Sequence, residues 1–206
     1  KMVNNVNQQY MSTNDKVILN NLIQQAKNHN ESTIHYSAKL DGLIDLLKTC
    51  SIISDNDMVN LFNTKHRALI FAQTNAVLNS IEYIFRQSYP SLSYLRMDGS
   101  VNSKNRFQMV QDFNTDENIS CMLLTTKVGG VGLNLTGADV VIFMEHDWNP
   151  SVDLQAMDRA HRIGQTKTVN VYRLLTKDTI EEKIMSLQQF KIDVTNTIIN
   201  DKNKIS

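Results

Sequence analysis

The chain has 206 residues, 41% hydrophobic and 20% charged, and its formal net charge is zero. A chain of this length buries about 70% of the surface its unfolded form exposes, so it needs no disulfide or metal. The neutral balance excludes a uniformly basic nucleic-acid-binding protein, so any DNA contact must come from local basic residues. No run of 18 apolar residues and no secretory leader is found, which predicts no membrane partner. Cys50 and Cys121 lie far apart and predict reduced thiols in an intracellular protein.

The start of the chain is predicted to be helical. Residues 1–35 are polar and rich in Asn and Gln, which predicts a helical lead-in or linker. From Ser37 onward an apolar spacing predicts a helix with one buried face. That face consists of Leu40, Leu43, Ile44, Leu46 and Leu47. The polar residues 51–63 then predict a surface insertion.

Five short apolar runs follow, separated by segments of helical pattern. The runs are residues 68–72, 92–97, 121–124, 140–144 and 169–175. Thr74 is placed to cap one intervening helix, and another is predicted around residues 106–113. Alternating strands and helices predict an α/β fold with a mainly parallel sheet flanked by helices. Such a sheet binds ligands in the loops beyond the carboxyl ends of its strands.

A glycine-rich loop follows the third predicted strand. Four of the seven glycines lie from Gly129 to Gly137. Glycines at this place let the backbone come close to a phosphate or ribose and let its amides point outward. The alternative is a tight turn that packs on the sheet, because the loop matches neither G-x-G-x-x-G nor the P-loop pattern.

A helix is predicted to begin after the fourth strand. Asn149 has the features of an N-cap, Pro150 those of a first helical residue, and Gly164 those of a stop signal. The helix would lie between these signals, with alanines that can pack on the sheet.

This helix is predicted to present two arginines side by side. Gln155, Arg159 and Arg162 have the spacing i, i+4 and i+7, which places them on one helical face. The fork geometry and permanent charge of arginine suit a phosphoryl transition state. The alternative is a solvated helix on which Asp158 pairs with Arg162.

Three further patterns lie in or near the loop after the fourth predicted strand. Residues 140–147 end in acidic residues like a magnesium-binding Walker B strand, but the sequence contains no Walker A run, G-x-x-x-x-G-K-[ST]. His146, Asp147 and His161 match no common ligand spacing, so no metal site is predicted. Trp148, the only tryptophan, is predicted to be an exposed ring that contacts a nucleic-acid groove, with core packing as the alternative.

Several of these runs resemble the second RecA-like lobe of the Swi/Snf-type ATPases, a branch of helicase superfamily two. The runs are residues 95–100, 125–139, 147–150 and 155–165, of which the last, Q-A-M-D-R-A-H-R-I-G-Q, is highly specific. The resemblance implies a RecA-like lobe at residues 36–176, between the lead-in at 1–35 and a C-terminal bracing helix at 177–206.

The resemblance also implies roles for individual residues. Arg159 and Arg162 match the arginine fingers, which would make them the catalytic residues. Gly132, Asn134 and Gln155 match positions beside the nucleotide. The positions near the DNA strands are matched by Gln73, Gly99, Thr125, Lys127 and Trp148; charge and hydroxyl groups at Thr125, Thr126 and Lys127 suit a phosphodiester.

Activity and partners follow from the same resemblance. We expect ATP with Mg²⁺, bound mainly by an N-terminal RecA-like lobe upstream in a longer chain, so this segment alone would be inactive as an ATPase. The implied motor walks along double-stranded DNA without separating its strands, in the nucleus. Residues 145–148 and 181–191 resemble the subgroup that removes TATA-binding protein from promoters, which would bind through regions outside this segment. The alternatives are a lobe of a nucleosome remodeller, and a non-catalytic nucleotide- or protein-binding module.

The last predicted element is a helix with one apolar stripe. Thr179 and Glu182 have the spacing of a capping box. The stripe consists of Ile184, Leu187, Phe190 and Val194. We expect this stripe to be buried, either on this lobe or against the partner lobe.

Overall fold

The structure is a computed structural model that describes residues 37–54, 66–129 and 132–202. The predicted lead-in at residues 1–35 lies outside the described residues, and so does most of the polar insertion predicted at 51–63. No helix in the described part of the chain has the length and apolarity needed to cross a membrane.

Helices and strands alternate along the described chain, as predicted. The strands are β1 (Ala68–Ala72), β2 (Tyr94–Met97), β3 (Cys121–Thr125), β4 (Val140–Phe143) and β5 (Asn170–Arg173). The helices are α1 (Ala38–Thr49), α2 (Asn75–Ser88), α3 (Ser103–Thr115), α4 (Thr126–Gly129), α5 (Pro150–Met157) and α6 (Ile180–Lys202).

The five strands form one parallel sheet in the order β2-β3-β1-β4-β5. Strand β1 lies at the centre, and every residue of β1, β3 and β4 is buried. Such wholly apolar strands occur where helices cover both faces of a parallel sheet. The Phe71 and Phe143 rings of neighbouring strands stack with centroids 5.3 Å apart. This is the predicted α/β architecture, a RecA-like lobe.

The ends of several elements differ from the sequence-based prediction. Strand β2 begins at Tyr94 rather than at residue 92, and β5 is shorter than the predicted 169–175. Helix α3 begins at Ser103 because the Asn102 side chain caps it, accepting a hydrogen bond from Asn105 N. Thr74 caps α2 as predicted, since its Oγ1 accepts from Val77 N over 3.4 Å. The short α4 was not predicted.

On this lobe only one residue of the predicted apolar stripe of α6 is buried, and burial of the others against the partner lobe stays a prediction. Ile184 is buried, whereas Leu187, Phe190 and Val194 are exposed. Besides Ile184, α6 buries the polar side chain of Gln188, which donates to Asp153 Oδ2. An apolar spacing shows which face of a helix prefers burial, but not whether a surface is present to cover it.

The capping box of α6 forms only in altered geometry. Thr179 Oγ1 accepts from Glu181 N over 3.3 Å, one residue earlier than predicted. Glu182 Oε2 accepts from Asp178 N over 3.2 Å rather than from the amide of the cap itself. The start of α6 is also tied to α1, because the Lys39 ammonium pairs with the Glu181 carboxylate.

Candidate functional site

A pocket of about 550 Å³ opens where the carboxyl ends of β1, β3 and β4 meet the first turns of α5. This is the edge at which a parallel sheet is expected to bind ligands. Its lining contains three of the predicted site residues, which are far apart in sequence. The lining residues are Gln73, Thr74, Thr126, Lys127, Asp147, Val152 and Gln155.

One wall of the pocket is already hydrogen-bonded within the protein. Glu145 Oε2 accepts from Gln73 N over 2.8 Å and from Thr74 N over 3.3 Å. The Glu145 carboxylate therefore accepts the hydrogen bonds of the backbone amides just before α2. Such amides could otherwise bind an anion. The side chains of Gln73, Lys127 and Gln155 line the pocket and can contact a ligand there.

The prediction that Gln155, Arg159 and Arg162 share one helical face is wrong. Helix α5 ends at Met157, and residues 158–164 form turns instead of the predicted continuation to Gly164. Gln155 lies on the helix and lines the pocket, while both arginines follow it in the turns.

The helix ends early because its carbonyl groups have partners elsewhere. An α-helix would use the carbonyls of Arg159 and Ala160 for amides four residues later. Instead, Arg159 O accepts from Leu135 N over 2.9 Å, and Ala160 O accepts from Gln165 Nε2 over 3.2 Å. We call residues 158–164 the arginine segment. The first contact joins this segment to the glycine-rich loop, and the second joins it to Gln165, which follows it in the chain.

Arg159 and Arg162 occupy different environments. Arg159 is only 6% exposed, whereas Arg162 is exposed and its Nη1 donates to Gly132 O over 3.1 Å. Burial and the positive charge of Arg162 lower the pKa of Arg159, against the opposing charge of Asp158. Two neighbouring guanidinium groups beside an open loop fit a polyanionic ligand, because an anion would relieve their repulsion.

Gly137 and Gly132 of the glycine-rich loop differ in the space around them. A Cβ atom on Gly137 would lie 2.8 Å from Arg67 Nη1 and 3.1 Å from Phe113 O, so this glycine is required by packing. Gly132 has φ of +46° and no atom within 4 Å of the place where a Cβ would lie. The tight-turn interpretation therefore holds at Gly137, and the open-loop interpretation fits Gly132.

Two side chains that the sequence reasoning did not single out hold this loop in shape. Asn114 donates to Asn134 O over 2.8 Å and accepts from Gly137 N over 3.0 Å. Gln165 Nε2 donates to Ala138 O over 2.7 Å and to Thr136 O over 3.1 Å. Gln165 ends the Q-A-M-D-R-A-H-R-I-G-Q run, so the run itself was the available signal; nothing local marked Asn114.

The residues predicted to contact DNA are not all equally accessible. Trp148 is 50% exposed, and Lys127 is exposed at the pocket. Thr125 is buried as the last residue of β3. Gly99 lies in the turn after β2, where its carbonyl accepts from Arg106 Nη2 over 3.4 Å.

A buried polar cluster is joined to the loop that carries Trp148, because Gln188 of the cluster donates to Asp147 O. His146 and Asp153 are buried, and His146 Nδ1 lies 3.7 Å from Asp153 Oδ2. Gln188 Nε2 donates to the same Oδ2 over 3.1 Å, and Arg173 Nη1 donates to Gln188 Oε1 over 3.2 Å. Burial would raise the pKa of Asp153, but His146, Gln188 and the charge of Arg173 together lower it. His146 thus belongs to the interior, whereas His161 is exposed.

The comparisons with known proteins agree with this geometry. The Helicase conserved C-terminal domain matches residues 38–164. The TATA-binding protein-associated factor MOT1 of Saccharomyces cerevisiae is 59% identical over 176 residues, 80% of this chain and 9% of the relative. The chromatin-remodeling ATPase INO80 of Arabidopsis thaliana is 55% identical over 120 residues, 58% of this chain and 8% of the relative. The chain thus spans about a tenth of the length of these relatives.

A solved structure shares the fold. The crystal structure of the C-terminal part of the Fun30 ATPase domain has a TM-score of 0.65 and 34% identity, covering 87% of this chain and 55% of that one. The parallel sheet with its flanking helices is therefore the fold of a known ATPase lobe. The chain belongs to the family of the helicase conserved C-terminal domain and is a second RecA-like lobe of the Swi/Snf type.

Proposed function

We propose that this chain is the C-terminal motor lobe of an ATP-dependent double-stranded DNA translocase that displaces a DNA-bound protein. The observation that carries the proposal is the contact between Arg162 Nη1 and Gly132 O. It brings the predicted arginine finger onto the loop predicted to lie beside the nucleotide. A lobe that offers guanidinium groups at an open loop is suited to complete a phosphoryl-transfer site built elsewhere.

The site would be shared between two lobes. ATP with Mg²⁺ needs a phosphate-cradling loop and magnesium carboxylates, and the sequence contains no G-x-x-x-x-G-K-[ST] run. The N-terminal RecA-like lobe of the same protein would supply both. Arg159 and Arg162 would stabilise the charge that develops on the transferred phosphoryl group, while Asn134 and Gln155 would line the nucleotide side.

DNA would bind along the pocket edge. Lys127 is the exposed cation among the pocket-lining residues, and the exposed Trp148 follows the lining residue Asp147 in the chain. Since the net charge is zero, such local groups must supply the attraction to phosphates. Gln73 would contact the backbone from the same edge, with Gly99 and Thr125 contributing through the main chain.

The displaced protein would be TATA-binding protein. Support comes from the relative named TATA-binding protein-associated factor, which matches 80% of the chain at 59% identity. The chromatin-remodeling relative matches 58% of the chain at 55% identity, so a nucleosome remodeller is the second candidate. TATA-binding protein would bind through regions outside this chain, and either function places the protein in the nucleus.

Two measurements test the shared site. Calorimetry on this chain should detect only weak ATP binding. In a turnover assay this chain should hydrolyse ATP no faster than buffer, whereas the intact protein should hydrolyse ATP with stimulation by duplex DNA. Tight, magnesium-dependent binding by this chain alone would contradict the shared site. DNA-independent binding without turnover in the intact protein would favour a non-catalytic module.

The target is tested by competition. The intact protein with ATP should release TATA-binding protein from a labelled promoter duplex, monitored by fluorescence anisotropy. A variant with Arg162→Ala in this lobe is the matched control for ATP-driven release. Repositioning of nucleosomes without release of TATA-binding protein would instead support the remodeller.

A further inference from the structure

The loop between β4 and α5 is held from the C-terminal helix. We call residues 145–149 the Trp148 loop. Gln188 Nε2 of α6 donates to Asp147 O, and Lys191 Nζ of the same helix donates to Trp148 O over 2.8 Å. Because Gln188 and Lys191 are three residues apart, they lie on one face of α6. Two successive carbonyls of the loop are therefore fixed by one helix.

Gln188 has no freedom to turn its amide. Its Nε2 donates both to Asp147 O and to Asp153 Oδ2, and its Oε1 accepts from Arg173 Nη1. The side chain is 1% exposed, so water cannot replace these partners. A buried amide with its donors and acceptor engaged behaves as a rigid strut between α6, α5 and β5.

The two carbonyls that α6 holds belong to Asp147 and to Trp148, which is exposed. Asp147 lines the pocket, and Trp148 is its neighbour in the chain. Asn149 begins the first turn of α5, because its Oδ1 accepts from Ser151 N over 3.1 Å. The carbonyl contacts from α6 therefore fix the loop between the pocket and a helix start, and Trp148 in this loop is half exposed.

We propose that Gln188 and Lys191 are positioning residues that hold the Trp148 ring in the orientation in which it meets DNA. The proposal rests on the proposed function, since it assigns to α6 the control of a DNA contact. Neither residue needs to touch DNA or nucleotide. Movement of α6 relative to the sheet would be transmitted to the ring through these two hydrogen bonds.

The first test needs neither DNA nor ATP. Trp148 is the only tryptophan in the 206 residues, so its fluorescence reports on this loop alone. Lys191→Met removes the donor and keeps the length of the side chain, and Lys191→Arg should restore the contact. Lys183→Met and Gln189→Met change exposed residues of the same helix and serve as matched controls.

The expected result is a looser ring in an intact fold. In time-resolved anisotropy, the fast local motion of Trp148 should rise about twofold in amplitude in Lys191→Met and in Gln188→Met. Lys191→Arg and both controls should behave as the unaltered chain. Gln188→Met also removes a buried partner of Asp153 and can lower stability. The anisotropy of Lys191→Met is therefore the result that tests the proposal. Unchanged anisotropy in Lys191→Met would overturn the proposal.

The second test separates positioning from the DNA role. In the intact protein, Lys191→Met and Trp148→Ala should each lower the ratio of DNA-stimulated to basal ATP turnover, and the double variant should be no worse than Trp148→Ala. Additive losses would contradict positioning through Trp148. If Trp148→Ala itself left the ratio unchanged, the DNA contact in the proposed function would fail, while the anisotropy result would still stand.

Discussion

Arg162 donates from Nη1 to the carbonyl oxygen of Gly132 over 3.1 Å and from Nε to Asp158 O over 3.2 Å. The second guanidinium of the segment, Arg159, is buried and linked to the same loop through its own carbonyl. One arginine is therefore placed to reach outward, and the other is built into the lobe. This difference gives the two residues separate experimental signatures.

Arg162→Ala in the intact protein should lower the maximal rate of ATP turnover by about 10³ to 10⁵, with nucleotide affinity nearly unchanged. The reason is that an arginine finger acts on charge that develops in the transition state. Steady-state kinetics and nucleotide titration measure the two quantities. Arg86→Ala, which removes an exposed arginine of α2, is the control. Near-normal turnover in Arg162→Ala would mean that Arg162 only holds the loop through Gly132 O and has no catalytic role.

Arg159→Ala should reduce stability as well as turnover. Its side chain is buried, so removing it should lower the free energy of unfolding by about 1–3 kcal/mol. Arg162→Ala, at an exposed site, should change that free energy by less than about 0.5 kcal/mol. Denaturant titration of the chain measures both. Equal stability losses in the two variants would show that burial does not separate their roles.

The sequence predicts an element well where burial alone determines it, and less well where hydrogen bonds to distant residues determine it. Both ends of strand β1 were predicted correctly, because a short run that is apolar at every position fits a buried strand of a parallel sheet. Strand β2 has mixed burial, and its start was misplaced by two residues. Local patterns are informative where burial alone decides the structure.

The arginine segment was predicted less well because its backbone bonds are long-range. The spacing of Gln155, Arg159 and Arg162 is helical, yet the carbonyl of Arg159 bonds to Leu135. No property of residues 149–164 reveals that partner. Gln155 and Lys127, which are far apart in sequence, line one pocket, and their relative orientation needed the structure.

Acidification should destabilise the chain partly through Asp153. The pKa of this buried carboxyl is lowered in the folded state, so its stabilising effect is present above the unfolded pKa of about 3.9 and is lost as the pH falls through the lower folded value. Asp153→Asn should therefore be less stable than the unaltered chain at pH 7, with a gap that narrows below about pH 4. Denaturant titrations across pH measure the gap. A constant gap from pH 7 to pH 3 would contradict a depressed pKa.

Trp148→Ala should cost little stability and should still uncouple the motor. Trp148 is half exposed, so truncation of its side chain should lower the melting temperature of the chain by less than about 4 °C. Phe113→Ala is the matched core variant: this ring is fully buried and its loss should cost about 3–5 kcal/mol. In the intact protein, Trp148→Ala should retain part of its ATP turnover while translocation along duplex DNA slows.

The two readouts together distinguish a DNA contact from packing. A packing residue would lower the melting temperature and the turnover in parallel, since both would follow the fraction of folded protein. A DNA contact would lower translocation alone, because the ring would act only when the pocket edge meets the duplex. A melting temperature lowered by more than about 10 °C, or translocation at the unaltered rate, would leave Trp148 without a role at the DNA.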